Sequence, residues 1–129
     1  MPARILVIDD NRANLDLMSY LLRAFGHVVD GMTDPAEGLA AARGTAYDAI
    51  VTDVLMPGID GYQIARTLKE ETRLRSVPVI AVTALAMSGD RDRILSSGFD
   101  GYVAKPIEPR SFVKQIEAFL PEYLRSKRG

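Results

Sequence analysis

Short runs of apolar residues recur along the chain, and each is followed by a segment with helical spacing of its apolar positions. Residues 5–8, 49–51 and 79–82 form continuous runs rich in β-branched side chains. This pattern is typical of strands that are buried on both faces of a parallel sheet. Residues 28–29 and 102–104 form shorter runs flanked by glycine and polar residues, which predicts strands at the sheet edges.

The segments between these runs predict five helices. Apolar residues at positions 15, 18, 22 and 25 form one stripe of the first helix. Asp34 and Asp60 precede the next two helices, each with a glutamate or glutamine at capping-box spacing. Ser88 is expected to cap a shorter fourth helix that ends near Gly98. The last helix is predicted to start around Pro109, with a core-facing stripe of Phe112, Ile116, Phe119, Leu120 and Tyr123.

Five repeats of strand then helix predict an α/β fold with a mainly parallel sheet and helices on both faces. The chain has 129 residues, a length that a single core commonly spans. We therefore expect one domain over residues 1–129, with no output domain in this chain. In such folds the functional site lies beyond the carboxyl ends of the strands.

Composition excludes several kinds of chemistry. Sixteen basic and seventeen acidic residues give a net charge of −1. The chain therefore lacks the excess of positive charge that would predict nucleic-acid binding. The chain has no cysteine and one histidine, His27, which excludes disulfides, thiol catalysis and multi-histidine metal sites. We expect His27 to be a loop residue without a role. No apolar run approaches the roughly 18 residues of a membrane span, and we expect a cytoplasmic protein that binds no membrane.

Polar residues follow four of the predicted strands. Asp9-Asp10 ends the first, Asp53 the third, Thr83 the fourth and Lys105 the fifth. Taken singly, the first two aspartates can cap a helix, and Asp53 can be a turn residue. Because the carboxyl ends of parallel strands share one edge of the sheet, we expect all five side chains to converge.

Such a cluster predicts metal binding and phosphoryl transfer. Two carboxylates some 4 Å apart repel by roughly 4 kcal/mol at an effective dielectric near 20, so the cluster holds protons or binds a cation. Oxygen ligands alone favour Mg²⁺, with Mn²⁺ as the alternative. A carboxylate beside this metal can act as the nucleophile that accepts a phosphoryl group. Lysine and threonine can then hold the oxygens of that group.

The ordered set of motifs resembles the receiver domain of bacterial two-component response regulators along essentially the whole chain. The matching segments are Ile8-Asp9-Asp10-Asn11, residues 52–58 (TDVLMPG), Val82-Thr83-Ala84 and Lys105-Pro106. Their separations of 44, 30 and 22 residues between Asp9, Asp53, Thr83 and Lys105 also fit the family. The resemblance implies a flavodoxin-like, doubly wound fold with strand order 2-1-3-4-5, of stand-alone chemotaxis-regulator or phosphorelay type.

The resemblance also implies residue roles at the metal site. Asp53 would accept the phosphoryl group from a phosphohistidine of a sensor kinase or phosphotransfer protein. Asp10, Asp53 and the backbone carbonyl of Leu55 would ligate Mg²⁺, and Asp9 would act mainly through water. Lys105 would pair with the phosphoryl group, and its peptide bond to Pro106 would be cis.

Further positions are implied to transmit and time the signal. Thr83 would shift to bond the phosphoryl group, and the Tyr102 ring would then turn inward, although an edge-strand aromatic is the simpler interpretation of Tyr102. Leu55 and Leu85 flank the approach of a hydrolytic water, so we expect slow self-dephosphorylation if they do more than pack. The downstream partner would bind the face of the fourth helix, fifth strand and fifth helix. That face would carry Arg91, Arg93, Tyr102 and Lys114, whereas residues 91–93 alone predict only a solvated charged run.

The function expected on these grounds is phosphorylation-controlled signalling. The chain would catalyse only its own phosphorylation and dephosphorylation and would not be a metabolic enzyme. Its output would be protein–protein contact or onward phosphotransfer. Two alternatives stay open: a receiver-like binding scaffold without phosphotransfer, and a receiver excised from a hybrid histidine kinase. A hydrolytic phosphatase is disfavoured because Val54 and Leu55 follow Asp53 where an Asp-x-Asp pair is needed.

Overall fold

Strands and helices alternate along the chain as the apolar pattern predicts. A computed structural model describes residues 2–56, 58, 60–84 and 88–125, without the side chains of residues 88 and 89. The strands are β1 (Arg4–Ile8), β2 (Val28–Met32), β3 (Ala49–Asp53), β4 (Val79–Thr83) and β5 (Gly101–Ala104). The helices are α1 (Arg12–Ala24), α2 (Pro35–Gly44), α3 (Gly61–Glu70), α4 (Ser88–Ser96) and α5 (Phe112–Glu117).

The five strands form one parallel sheet in the order β2-β1-β3-β4-β5. This confirms the expected strand order and places β2 and β5 at the edges. Ile5 of β1 lies opposite Val29 of β2 on one side and Ala49 of β3 on the other. The chain reverses its direction of winding between β1 and β3, and a crevice opens there beyond the strands' carboxyl ends.

Helices cover both faces of the sheet and produce two hydrophobic layers. Ile5 and Val7 of β1 point towards α1 and α5, where they pack with Met18 and Phe112. Successive side chains of a strand point to opposite faces, so Leu6 and Ile8 pack with the residues of α2, α3 and α4. The central strands are buried on both faces, which explains why their apolar runs are continuous rather than alternating.

Capping residues begin three of the helices. Asn11 caps α1 by accepting a hydrogen bond from the backbone N–H of Asn14 at 3.0 Å. Asp60 and Gln63 form the predicted capping box of α3, each side chain accepting from the other's backbone N–H. Asp34 caps α2 through the N–H of Ala36, without the reciprocal bond expected from a capping box.

The prediction for the last helix is wrong at both ends. Helix α5 begins at Phe112 rather than near Pro109, and it ends at Glu117. A separate 3₁₀ turn follows at Glu122–Leu124, and the Tyr123 side chain is 71% exposed rather than part of the core. Pro121 explains the break, because its ring disfavours a helical backbone at Leu120 and it has no N–H to donate.

In the part of the chain that the structure describes, no helix combines the length and the apolar character needed to span a bilayer.

Candidate functional site

Four of the five predicted polar residues, namely Asp9, Asp10, Asp53 and Lys105, meet at the crevice between β1 and β3. Asp9 follows β1, Asp53 ends β3, Thr83 ends β4 and Lys105 follows β5. The Lys105 ammonium nitrogen lies 3.2 Å from Asp53 Oδ2 and 3.3 Å from Asp9 Oδ2. One lysine thus bridges two carboxylates that are 44 residues apart in the sequence.

The third carboxylate, that of Asp10, completes an acidic cluster with Asp9 and Asp53. Each of the three offers an oxygen, and these oxygens all lie within 4.8 Å of one another. Asp9 and Asp53 are buried, whereas Asp10 is exposed. The cluster is therefore closed on the protein side and open to solvent on the side of Asp10.

Asp9 is the buried end of this cluster. Its Oδ1 accepts a hydrogen bond from the backbone N–H of Asn11 at 2.9 Å, and Asn11, not an aspartate, caps α1. Burial raises the pKa of Asp9, the Asn11 bond lowers it, repulsion from Asp53 raises it and the Lys105 charge lowers it, with a net upward shift. The interpretation of Asp9 and Asp10 as helix caps is therefore wrong.

The donor set of the cluster fits a hard divalent cation. Among the described residues, Asp9 Oδ2 is buried without a well-aligned hydrogen-bond donor, and its near neighbour is the Lys105 ammonium nitrogen at 3.3 Å. Three carboxylates against one ammonium leave excess negative charge at the open side. Oxygen donors with vacant coordination sites for water suit Mg²⁺. Asp9, Asp10 and Asp53 are the side chains that would hold it.

Thr83 and Lys105 are connected through the backbone. The N–H of Lys105 donates to the carbonyl of Thr83 at 2.8 Å, and the Lys105–Pro106 peptide is cis, as the resemblance implied. Thr83 is buried at the end of β4. Tyr102, three residues before Lys105, is half-buried, and the guanidinium carbon of Arg91 lies 5.8 Å from its ring centroid.

Two residues were expected to influence the lifetime of a phosphoryl group. Leu55 is 57% exposed, so packing over the core does not account for most of its surface. Its backbone N–H points to Asp53 Oδ1 at 3.4 Å, which keeps the residue beside the carboxylate. Leu85 lies outside the described residues.

Sequence reasoning missed three features of the surroundings. His27 does lie between α1 and β2, but it is buried, and its Nε2 is 2.5 Å from Glu117 Oε2 in α5. Residues 91–93 are exposed, as the sequence predicts, but the Arg93 guanidinium carbon also lies 4.4 Å from the ring centroid of Tyr62. Gly61 packs so closely on the backbone of residues 53–54 that any side chain would overlap it. Of these three features, only the close packing of Gly61 could have been suspected from the sequence, because this glycine directly follows the N-cap Asp60.

Comparison with known proteins is consistent with this geometry. The family model described as response regulator receiver domain matches residues 5–117. The chain is 36% identical to the polar-differentiation response regulator DivK of Brucella anthropi, over 93% of this chain and 98% of DivK.

Solved structures show the same fold. The chemotaxis response regulator CheY4 of Vibrio cholerae superposes with a TM-score of 0.88 at 24% identity, over 93% of this chain and all of that one. The receiver domain of the sensor histidine kinase PA1611 from Pseudomonas aeruginosa has a TM-score of 0.84 at 32% identity. This match covers 92% of this chain and 98% of the PA1611 domain. The PA1611 structure contains a magnesium ion coordinated in its active-site cleft. The chain described here therefore belongs to the response regulator receiver family, whose members act in phosphorylation-based signalling and not as metabolic enzymes.

Proposed function

We propose that Asp53 accepts a phosphoryl group from a phosphohistidine of a sensor kinase or phosphotransfer protein. An Asp53 carboxylate oxygen attacks phosphorus, a P–O bond forms, the P–N bond breaks, and the imidazole leaves with the electron pair and takes up a proton. The observation that supports this role is the contact of Asp53 Oδ2 with the Lys105 ammonium at 3.2 Å, beside Asp9 and Asp10. A nucleophilic carboxylate needs such a cation nearby to accept a charged phosphoryl group.

Mg²⁺ would neutralise the phosphoryl oxygens during transfer. Asp10 and Asp53, with the backbone carbonyl of Leu55, would ligate the ion directly, and Asp9 would hold it mainly through water. Lys105, which contacts both Asp9 and Asp53, would pair with the phosphoryl group once Asp53 has become an acyl phosphate.

Thr83 and Tyr102 would transmit the change. The Thr83 hydroxyl would hydrogen-bond the phosphoryl group, and the half-buried Tyr102 ring would turn inward in response. The output would then be read by a protein partner, rather than nucleic acid or membrane, at the face of α4, β5 and α5 that carries Arg91, Arg93, Tyr102 and Lys114. We place this exchange in the cytoplasm and assign it to a single receiver domain over residues 1–129.

The phosphodonor would approach over an apolar groove beside the site. Leu17 of α1, Pro106 and Ile107 line this groove together with Lys105. An apolar groove that leads to a charged centre suits an amphipathic helix that presents one histidine. This supports a donor with its phosphohistidine on a helix.

The direct test is covalent labelling with a small phosphodonor. Incubation with acetyl phosphate and Mg²⁺ is expected to add one phosphoryl group to the intact protein, which mass spectrometry locates at Asp53. Asp53→Asn is expected to remain unlabelled, and chelation of Mg²⁺ to suppress labelling of the unaltered protein. An unlabelled wild-type protein, or a label at another residue, would contradict the proposal and favour a receiver-like binding scaffold.

A further inference from the structure

Helix α4 is held to the rest of the protein by few apolar contacts. Among its described side chains, only Ile94 is buried, and Arg91, Arg93 and Leu95 are exposed. Helix α3 buries five residues over a similar length. A helix with so little buried apolar surface depends more on its remaining contacts for its position.

One of those contacts joins α4 to α3. The guanidinium carbon of Arg93 lies 4.4 Å from the ring centroid of Tyr62, which is within the range of a cation–π interaction. The same ring meets Phe99 edge-on, with centroids 6.3 Å apart and planes at 72°. Its hydroxyl is buried and makes no hydrogen bond in the described part of the chain. Core packing, which includes these two ring contacts, therefore positions Tyr62, and its hydroxyl does not.

The two helices that this contact joins each follow a strand that ends in a residue of the site. Tyr62 follows Gly61, whose N–H donates to the carbonyl of Val54 at 2.8 Å and which packs against the carbonyl of Asp53. The start of α3 is thus fixed on the backbone of the phosphoacceptor. Helix α4 begins five residues after Thr83. The contact between Arg93 and Tyr62 thus joins the helix that follows Thr83 to the helix that follows Asp53.

We propose that this contact, which we name the α4 latch (Arg93 with Tyr62), holds α4 in its unphosphorylated position and opposes phosphorylation of Asp53. The inference rests on the proposed function. If Thr83 moves towards a phosphoryl group, α4 is displaced, whereas α3 stays fixed on the Asp53 backbone. The two helices then move relative to each other, and the cation–π contact is lost. The latch therefore influences the equilibrium between the unphosphorylated arrangement and the arrangement in which α4 is displaced.

The test measures binding of beryllofluoride, a phosphoryl mimic, with Mg²⁺ by fluorine NMR. Arg93→Ala is expected to lower the Kd of the mimic by roughly threefold to tenfold, the range that a partly exposed cation–π contact supports. Tyr62→Leu is expected to have the same effect, and the double variant to show no further change, because both substitutions remove one interaction. Tyr62→Phe keeps the ring face and is expected to bind as the unaltered protein does.

Arg66→Ala is the matched control, since Arg66 is an exposed arginine of α3 and its removal changes the net charge equally. Amide hydrogen exchange at residues 90–97 of the free protein is expected to be faster in Arg93→Ala than in this control. If the wild-type protein binds the mimic but Arg93→Ala binds no more tightly than Arg66→Ala, the latch is overturned and the proposed function stands. If the wild-type protein does not bind the mimic, the proposed function fails and the latch falls with it.

Discussion

Asp9 is fully buried, and its environment disfavours the charge it carries. Burial and repulsion from Asp53 raise its pKa more than the Asn11 hydrogen bond and Lys105 lower it. A carboxyl group with a raised folded-state pKa stabilises the fold fully below its unfolded pKa, near 3.8. That stability is lost as the pH rises through the folded-state pKa.

We therefore predict that Asp9→Asn is more stable than the unaltered protein at neutral pH without metal. The asparagine keeps an oxygen for the Asn11 N–H but removes the buried charge. The difference should shrink as the pH falls and vanish below pH 3.8, as measured by urea unfolding with a chelator present. Asp10→Asn, which removes the same charge at an exposed position, is the control and should change the stability at neutral pH by less. A variant that is less stable at neutral pH would contradict the assigned cause.

Leu55 lies beside the phosphoacceptor with an exposed side chain, and Leu85 follows Thr83 by two residues. Neither side chain can orient a water molecule for attack on an acyl phosphate. We predict that Leu55→Asn combined with Leu85→Glu speeds loss of the label by about tenfold or more, because polar groups position the attacking water. The measurement is phosphate release from purified phosphoprotein with Mg²⁺ and no kinase. Wild-type loss within seconds, or equal rates in both proteins, would refute shielding by these leucines.

At the scale of elements, a buried histidine joins three segments that are remote in sequence. The N–H of Ala3 donates to His27 Nδ1 at 3.2 Å, so that nitrogen carries no proton. His27 is therefore the tautomer protonated at Nε2, and it donates to Glu117 Oε2 of α5 at 2.5 Å. This chain of hydrogen bonds ties the start of β1 and the α1–β2 connection to α5.

Removing the acceptor of this bond should weaken the attachment of α5. We predict that Glu117→Ala lowers the free energy of unfolding by about 2–3 kcal/mol, because it leaves a buried donor unsatisfied. Glu117→Gln keeps an oxygen acceptor and should lose clearly less. Urea unfolding checks both, with exposed Glu122→Ala as a control that should change by less than about 0.5 kcal/mol. Equal losses in the alanine and glutamine variants would show that the bond does not hold α5.

Elements that depend on local signals could be predicted from the sequence, and elements that depend on distant partners could not. The capping box of α3 lies within four residues, and continuous apolar runs in the sequence predict the buried strands. His27 and Glu117 are 90 residues apart, so no local pattern pairs them. Tyr123 fits the stripe of the last helix, but Pro121 separates it from α5.

For the whole molecule, the topology explains why the site could be located before any geometry was known. A parallel sheet brings every strand's carboxyl end to one edge, and the reversal between β1 and β3 opens the crevice where Asp9 and Asp53 meet. Residue types at strand ends therefore identify the site from sequence alone. The bridge from Lys105 to both carboxylates, and the contact of Arg93 with Tyr62, require side-chain placement that no strand pattern specifies.

The acidic cluster also makes the stability of the whole molecule depend on divalent cations. Three carboxylates with oxygens within 4.8 Å repel one another in the fold, whereas in the unfolded chain Asp53 is remote from Asp9 and Asp10, so a cation binds the folded state in preference. We predict that Mg²⁺ at a hundredfold excess over its Kd raises the free energy of unfolding by about 2.7 kcal/mol. Urea titrations at several Mg²⁺ concentrations would measure the increase and its logarithmic dependence on free ion. In Asp53→Asn the metal-free protein should be more stable and the response to Mg²⁺ weaker, since one repelling ligand charge is gone. An equal response in the variant, or none in the wild-type protein, would show that the cation does not bind at this cluster.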